Sequence, residues 1–219
     1  MKKNETLYFE VHLLGYIPHN DKKDMLKKTL NNLFDKSLPT EYTITTYENK
    51  QVEGIGTKKN LIEVHLNNKF YPNDPNIDIE KIFKINHEEF YTKLNPFDNF
   101  IDYLKYSQCF IKYIAQNKIN SKIGTTKVVD YCRCEDNIID MLKSIGYSEK
   151  SRIKKSFGVY KYKYGGNVYF QASTLIDEIH NITTITYELF GFCKSTEEEK
   201  LVSKMTLLKE EFEKYMVFA

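Results

Sequence analysis

Alternating strand-like segments run through most of this sequence and set the class of fold that the chain can adopt. The clearest is "SFGVYKYKYGGNVYFQAS" at residues 156–173, where two alternating runs flank Gly165 and Gly166. Two glycines between such runs are typical of a tight hairpin with a two-residue loop, which here pairs Tyr164 with Asn167. One face of the predicted hairpin then carries Tyr160, Tyr162, Tyr164, Tyr169 and Gln171. The opposite face carries Val159, Lys161, Lys163, Val168 and Phe170.

The other elements follow from the periodicity of the apolar residues. Further strands are predicted at residues 6–17, 41–48, 60–67, 108–116, 125–134 and 181–192. Amphipathic helices are predicted at residues 21–34, 136–146 and 195–216. About eight strands with hairpin connections predict an α+β protein, built as a closed or nearly closed antiparallel β-barrel with three or so flanking helices.

The length of 219 residues fits one large domain, and we predict a single β-barrel domain over residues 1–219. One segment interrupts it. Residues 69–99 contain Pro72, Pro75 and Pro96, several Asn and Asp, and little sustained period. We therefore expect a long excursion there, with a short helix near residues 78–92.

Charge gives little support to nucleic-acid binding. The chain has 32 basic and 30 acidic residues, and its only arginines are Arg133 and Arg152. Because phosphate recognition favours the arginine fork and a clear basic excess, we expect no direct nucleic-acid partner. No apolar run approaches the roughly 20 residues that a membrane-spanning helix needs, so we expect no membrane segment. We expect an intracellular protein whose four cysteines are free thiols.

The tetrapeptide Glu-Val-His-Leu occurs twice, at residues 10–13 and 63–66. In a strand, Glu and His two positions apart point to the same side, so Glu10 with His12 and Glu63 with His65 could hold a divalent metal inside a barrel. In the alternative, these side chains lie on the solvent-exposed faces of two strands, and the Val and Leu of each tetrapeptide point inward. We favour the second interpretation, because Glu-x-His arises readily by chance.

Other candidate chemistries are incomplete. Cys132 and Cys134 share a strand face, but a structural zinc site needs a second pair, and Cys109 and Cys193 are too scattered in sequence to supply it. No P-loop, G-x-S-x-G or H-E-x-x-H motif is present. The tyrosines of the hairpin could stack single-stranded RNA, but the lysines are predicted on the opposite face. We therefore predict no catalytic, cofactor or metal residues.

A family resemblance emerges from several segments in order. "NIIDMLKSIGY" at residues 137–147 resembles the Asn-Leu-x-x-Phe-Leu-x-x-Leu-Gly-Tyr signature of Mediator complex subunit 18, where it follows a strand and precedes a Gly-containing hairpin. Tyr187-Glu188-Leu189 matches the next strand of that family. The amino-terminal "HLLGYIPHNDKKDMLKKTLNNLF" at residues 12–34 resembles its first strand and helix. The hairpin turn departs from the pattern, because Gly165-Gly166 stands where the family has a basic residue and Gly.

The resemblance implies a barrel like that of the triphosphate-tunnel enzymes, but without their catalysis. It implies a non-enzymatic subunit of the head module of Mediator, the nuclear coactivator of RNA polymerase II transcription. The expected partners are Mediator subunit 20 and a carboxyl-terminal helix of Mediator subunit 8, with RNA polymerase II contacted indirectly. The tyrosine face of the hairpin is the predicted partner-binding surface. The alternative is a metal-dependent triphosphate-tunnel phosphohydrolase, such as an RNA 5′-triphosphatase.

Overall fold

Nine β-strands and four α-helices make up the structure, a computed structural model that describes residues 8–49, 61–68, 97, 100–120, 124–134, 137–177 and 180–219. The strands are β1 (Tyr8–Tyr16), β2 (Phe34–Asn49), β3 (Leu61–Asn67), β4 (Cys109–Asn120), β5 (Gly124–Arg133), β6 (Tyr147–Tyr162), β7 (Asn167–Asp177), β8 (Ile182–Lys194) and β9 (Val217–Phe218). The helices are α1 (Lys22–Leu33), α2 (Phe100–Tyr106), α3 (Ile138–Ser144) and α4 (Glu198–Phe212).

Eight of the strands close into an antiparallel barrel. The order around the wall is β1, β5, β4, β3, β2, β6, β7 and β8, and β8 returns to β1. The short β9 adds to the end of β1. The predicted α+β barrel is therefore confirmed, and closure leaves these eight strands without a free edge.

Helices cover the outside of the wall, which explains why alternate residues of the strands are apolar and point outward. Leu26 and Leu30 of α1 pack with Met205 and Phe212 of α4 on the outer faces of β1, β7 and β8. A second outer cluster, beneath α3, contains Tyr47, Val64, Cys109, Ile138 and Leu142. None of the helices among the described residues combines the length and apolar character that crossing a bilayer requires.

The helix α2 was not predicted, and it closes one end of the barrel interior. Its Phe100 is buried among the inward-facing rings of Tyr131, Tyr169, Phe190 and Phe192. Two tyrosines of the wall hold its backbone. The Tyr42 hydroxyl donates a hydrogen bond to the Leu104 carbonyl oxygen (2.6 Å), and the Phe100 N–H donates one to the Tyr169 hydroxyl (3.3 Å). We call this helix and the rings around it the aromatic plug.

The predicted register of the tyrosine hairpin was wrong by one residue. Lys161 pairs with Tyr169 and Tyr160 pairs with Phe170, so the turn spans four residues, Lys163–Gly166, rather than two. Both Gly165 and Gly166 have positive φ, as the turn requires. The slip moves Tyr169 and Gln171 to the face opposite Tyr160, because side chains alternate along a strand.

The long excursion predicted for residues 69–99 falls outside the described residues, except at Phe97. The Phe97 ring stacks on Tyr8 with 3.7 Å between ring centroids and belongs to the aromatic plug. The prediction that residues 1–219 form a single domain stays a prediction.

Candidate functional site

The two Glu-x-His pairs face the interior of the barrel, which corrects our interpretation of them as solvent-facing residues. Glu10 is 3% exposed, and Glu63 and His65 are partly buried with it in the same interior. The physical reason is the helical cover: α1 and α4 bury Val11 and Leu13 on the outside of β1, so the polar residues of that strand must point inward.

A buried ion pair crosses the interior from β1 to β4. Glu10 Oε2 lies 2.6 Å from Lys112 Nζ, and the Tyr131 hydroxyl donates a hydrogen bond to the same oxygen (3.1 Å). Burial would raise the pKa of Glu10, but the charges of Lys112, His12 and Lys127 outweigh it and lower that pKa. Burial would lower the pKa of Lys112, but Glu10 holds it well above its ordinary value. Both groups are therefore charged near neutral pH.

Glu188 on β8 is the centre of a second network. Lys155 Nζ lies 3.0 Å from Oε1, Gln171 Nε2 donates to Oε2 (2.9 Å), and His12 Nε2 lies 3.4 Å from Oε2. Burial opposes ionisation of Glu188, but the Lys155 charge and the hydrogen bond with His12 depress its pKa far below the ordinary value. The two Glu-x-His pairs therefore differ, because His12 forms its hydrogen bond with Glu188 on β8 and not with Glu10 on its own strand.

In the second Glu-x-His pair, the two side chains bind each other. His65 Nε2 lies 3.1 Å from Glu63 Oε2, and the imidazole stacks on Phe110 with 4.5 Å between ring centroids. Burial lowers the pKa of His65, so its ring is neutral near pH 7 and donates Nε2–H to the carboxylate. Burial would raise the pKa of Glu63, but the hydrogen bond from His65 and the charge of Lys112 lower it to about 2.

A cavity of about 70 Å³ lies between these networks and the aromatic plug. It is lined by Glu10, Ile44, His65, Phe100, Leu104, Phe110, Lys112, Tyr131, Lys155, Phe157, Gln171, Glu188 and Phe190. Such a volume holds about five to seven water molecules, at roughly 10–15 Å³ each.

The sequence did not identify the cations of this lining. Closure of the barrel between β1 and β5 brings Lys112 to Glu10, about 100 positions away in sequence. Lys155 on β6 contacts Glu188 on β8 across the intervening β7, 33 positions away. The alternation of Lys112 with Ile111 and Tyr113 on β4 was the available signal, whereas Lys155 lies between Lys154 and Ser156 and gave none. It could not be interpreted without knowing which face of each strand the helices cover.

The four tyrosines proposed as a partner surface are separated by the register of the hairpin. Tyr164 is 66% exposed at the turn, and Tyr160 and Tyr162 pack partly buried against the outer core. Tyr169 is fully buried in the aromatic plug, so it does not lie on that surface. The partner-binding role of the other three stays a prediction.

Comparison with known proteins bears on the fold. No protein-family profile matches the sequence. No curated protein matches it either.

Solved structures do match. The chain is similar to one from the Schizosaccharomyces pombe Mediator head module, with a TM-score of 0.58 and 10% identity over 96% of this chain and 97% of that one. It is similar to the PH1819 protein of Pyrococcus horikoshii OT3, with a TM-score of 0.57 and 16% identity over 96% and 93% of the two chains.

A third similar structure is HpAC1 of Hippeastrum, described as having a dominant triphosphatase activity. Its TM-score is 0.52 and its identity 9%, over 94% of this chain and 87% of that one. At such identities these likenesses show a shared barrel fold. They include both a chain of a Mediator head module and a protein described as a triphosphatase, and they do not choose between the two functions.

Proposed function

We propose that this chain is a non-enzymatic structural subunit of the Mediator coactivator, which links regulators to RNA polymerase II transcription through protein–protein contacts in the head module. It acts in the nucleus. Its proposed partners are Mediator subunit 20 and a carboxyl-terminal helix of Mediator subunit 8, with RNA polymerase II contacted indirectly. The likeness to the fission-yeast head-module chain over nearly the whole length of both chains supports this assignment.

The observation that carries the proposal is the internal pairing of the charged lining. Lys112 and Lys155, which a phosphate substrate would need, are bound to Glu10 and Glu188. Taking either cation away leaves a buried carboxylate without its counter-charge, which is costly in a low-dielectric interior. The lining therefore serves the stability of the barrel, and the outer surface is left for binding.

The exposed tip of the tyrosine hairpin is the part of that surface we assign to partner contact. Tyr164 is 66% exposed, and its ring lies 5.5 Å from that of Tyr162. Tyrosine is enriched at protein interfaces because it adds contact area with few rotatable bonds. Lys204 of α4 donates a hydrogen bond to the Gly165 carbonyl oxygen (2.6 Å), which holds the tip in place.

Co-expression with Mediator subunit 20 of the same organism tests the proposal. We expect the two chains to elute together in gel filtration, and Tyr164→Ala to weaken the complex without changing the unfolding midpoint. Tyr16→Ala, a tyrosine that is 53% exposed elsewhere, is the matched control and should leave the complex intact. Two chains that elute separately at micromolar concentration would contradict the proposed partnership.

A second candidate function is a triphosphate-tunnel phosphohydrolase, because three carboxylates and three lysines (Glu10, Glu63, Glu188, Lys112, Lys127 and Lys155) surround the interior. Among the residues that the structure describes, no three His, Cys, Asp or Glu side chains are grouped as ligands of one metal ion. The described donor set therefore does not fit the metal that this chemistry needs.

Phosphate release separates the two candidates. The full chain is incubated with a nucleoside triphosphate or an RNA 5′-triphosphate, with magnesium or manganese added. We expect no release above a protein-free blank. Release that disappears in Glu10→Gln and Glu63→Gln, both shown to be folded by circular dichroism, but persists in the exposed control Glu149→Gln, would overturn the non-enzymatic assignment.

A further inference from the structure

Two thiols meet where β4 begins and β5 ends. Cys109 Sγ and Cys134 Sγ are 3.0 Å apart, although 25 residues separate them in sequence. Phe110 pairs with Arg133, and Cys109 and Cys134 are the next residues along this pair of strands. The Cys134 N–H donates a hydrogen bond to the Cys109 carbonyl oxygen (3.3 Å). The two residues are thus direct neighbours across an antiparallel ladder. Neither is bonded to another cysteine.

We propose that Cys109 and Cys134 form a cross-strand disulfide when the protein meets a hydroperoxide, which makes this junction a thiol modification site. The proposal is independent of the function proposed above. Opposite residues of an antiparallel pair have Cα atoms about 4.5–5.5 Å apart, within the roughly 4.4–6.8 Å that disulfides span. The sulfurs need to approach by only about 1 Å to reach the bond length of about 2.05 Å.

One hydroperoxide accepts the two electrons that the two thiols lose when the disulfide forms. The Cys134 thiolate, which is partly exposed, attacks the peroxide oxygen, forms a sulfenic acid and releases water or an alcohol after protonation. The buried Cys109 thiol then attacks the Cys134 sulfur, forms the disulfide and expels the oxygen as a second water with its own proton. Two thiols are oxidised and one O–O bond is reduced.

The other two cysteines are poor competitors. Cys132 is exposed and lies on the same strand face as Cys134, two residues away. Burial, Cys134 and Asp130 raise the pKa of the Cys132 thiol, which reduces its reactive thiolate. Burial and the nearby Glu198 raise the pKa of Cys193 to about 12, and this thiol lies in the other core, beneath α4.

The disulfide would tie the β4–β5 pair together beneath α3. Cys109 is 3% exposed and packs with Ile138 and Leu142 of that helix, and Cys134 is partly buried against the same cluster. Closing the 25-residue loop removes freedom from the unfolded chain. We therefore expect oxidation to raise the midpoint of thermal unfolding by a few degrees, and reduction to reverse the shift.

The test uses the reduced full chain, treated with hydrogen peroxide in the presence of glutathione as an internal standard, then alkylated and digested with trypsin. Trypsin separates the three nearby cysteines, because Cys109 lies in peptide 106–112, Cys132 in 128–133 and Cys134 in 134–143. We expect a linked 106–112/134–143 species, two hydrogens lighter than its parts, in protein that runs as a monomer on a non-reducing gel.

Cys134→Ser should abolish the linked species, and Cys132→Ser, the matched control two residues away, should retain it. Dithiothreitol should release both peptides. The proposal would be overturned by a link to peptide 128–133 instead, or by covalent dimers alone. It would also be overturned if Cys109 and Cys134 stayed free while the glutathione was consumed.

Discussion

Glu10 and Lys112 form an ion pair inside the barrel, 2.6 Å from Oε2 to Nζ, although their strands β1 and β4 are separated by β5. The side chains are 4% and 13% exposed. A pair this deeply buried is costly to break from one side, because the remaining charge is shielded from solvent and loses its nearest counter-charge. The pair therefore gives a direct way to ask whether the interior is a structural network.

Removing one partner should destabilise the protein strongly. We expect Glu10→Gln or Lys112→Met to lower the free energy of unfolding by about 3–5 kcal/mol. The double variant should lose much less than the sum of the two, because no charge is left unpaired. Urea unfolding followed by circular dichroism measures each value.

The exposed pair of Glu149 and Arg152, 2.8 Å apart, is the control. Glu149→Gln should change the free energy of unfolding by less than about 1 kcal/mol, because solvent screens an exposed pair. If Glu10→Gln were as mild as Glu149→Gln, the interior pair would not stabilise the barrel.

Acid should unfold the protein in a window set by the interior carboxylates. A carboxyl whose pKa is lower in the folded than in the unfolded chain contributes stability above its unfolded pKa, and that stability is lost as pH falls through the folded pKa. For Glu63 the window runs from about pH 4.5 to about pH 2. Glu10 and Glu188 are lowered in the same direction. Burial lowers the pKa of His65, so this residue adds a further loss of stability that begins below about pH 6.5.

Urea titrations at pH 7, 4.5 and 3 measure this slope. We expect the free energy of unfolding to fall at each step, and Glu63→Gln to show a shallower fall between pH 4.5 and pH 3. The stability that Lys112 contributes depends on pH in the opposite direction. Because its pKa is raised in the folded chain, that contribution is kept until pH rises above about 10.5. A Glu63→Gln protein with the same acid slope as the wild type would contradict the assignment of this carboxylate.

The aromatic plug should be a main source of stability. Phe100 contacts Tyr131, Tyr169, Phe190 and Phe192, so Phe100→Ala leaves a cavity among four rings. We expect the free energy of unfolding to fall by about 3–5 kcal/mol, measured by urea unfolding. Leu207→Ala, on a side chain that is 68% exposed on α4, should change it little. Equal effects would mean that α2 does not fill the barrel end.

Close contact between α4 and the wall can be tested at two glycines. A Cβ on Gly191 would lie 2.8 Å from Leu201 Cδ1 and 3.0 Å from the Asn167 carbonyl oxygen. Gly191→Ala should therefore cost about 1–3 kcal/mol of unfolding free energy by overpacking. A Cβ on Gly158 meets nothing closer than Tyr160 Cε2 at 3.8 Å, so Gly158→Ala should be tolerated. Thermal unfolding midpoints compare the two, and a Gly191→Ala midpoint no lower than that of Gly158→Ala would argue against this packing.

The barrel could be predicted from sequence, because the alternation of apolar residues in strands and the apolar stripes of helices are patterns of neighbouring residues. Gly146, predicted to end the second helix, has a φ of 92° just beyond α3, as a left-handed cap requires. The interior could not be predicted in the same way. Period-two alternation in β1 marks Glu10 and Val11 as opposite faces, but only the outer helices decide which face is inside.

The predicted register of the hairpin was wrong for a related reason. Two glycines suggested a two-residue loop, yet a four-residue turn leaves Val168 and Phe170 facing the helices and Tyr169 facing the plug. Burial of Phe170 in the outer core fixes this register, since a slip of one residue would exchange the two faces. That constraint comes from tertiary packing, which the local turn signal does not contain.

The central claim, that this chain is a subunit of a Mediator head module, is tested most directly by affinity purification from the cells that express it. The tagged full chain is recovered from nuclear extract and its partners are identified by mass spectrometry, with an untagged extract as the control. We expect several Mediator head subunits, including subunits 8 and 20, at abundances close to that of the bait. Recovery of the chain alone, with no Mediator subunit above the control, would contradict the claim.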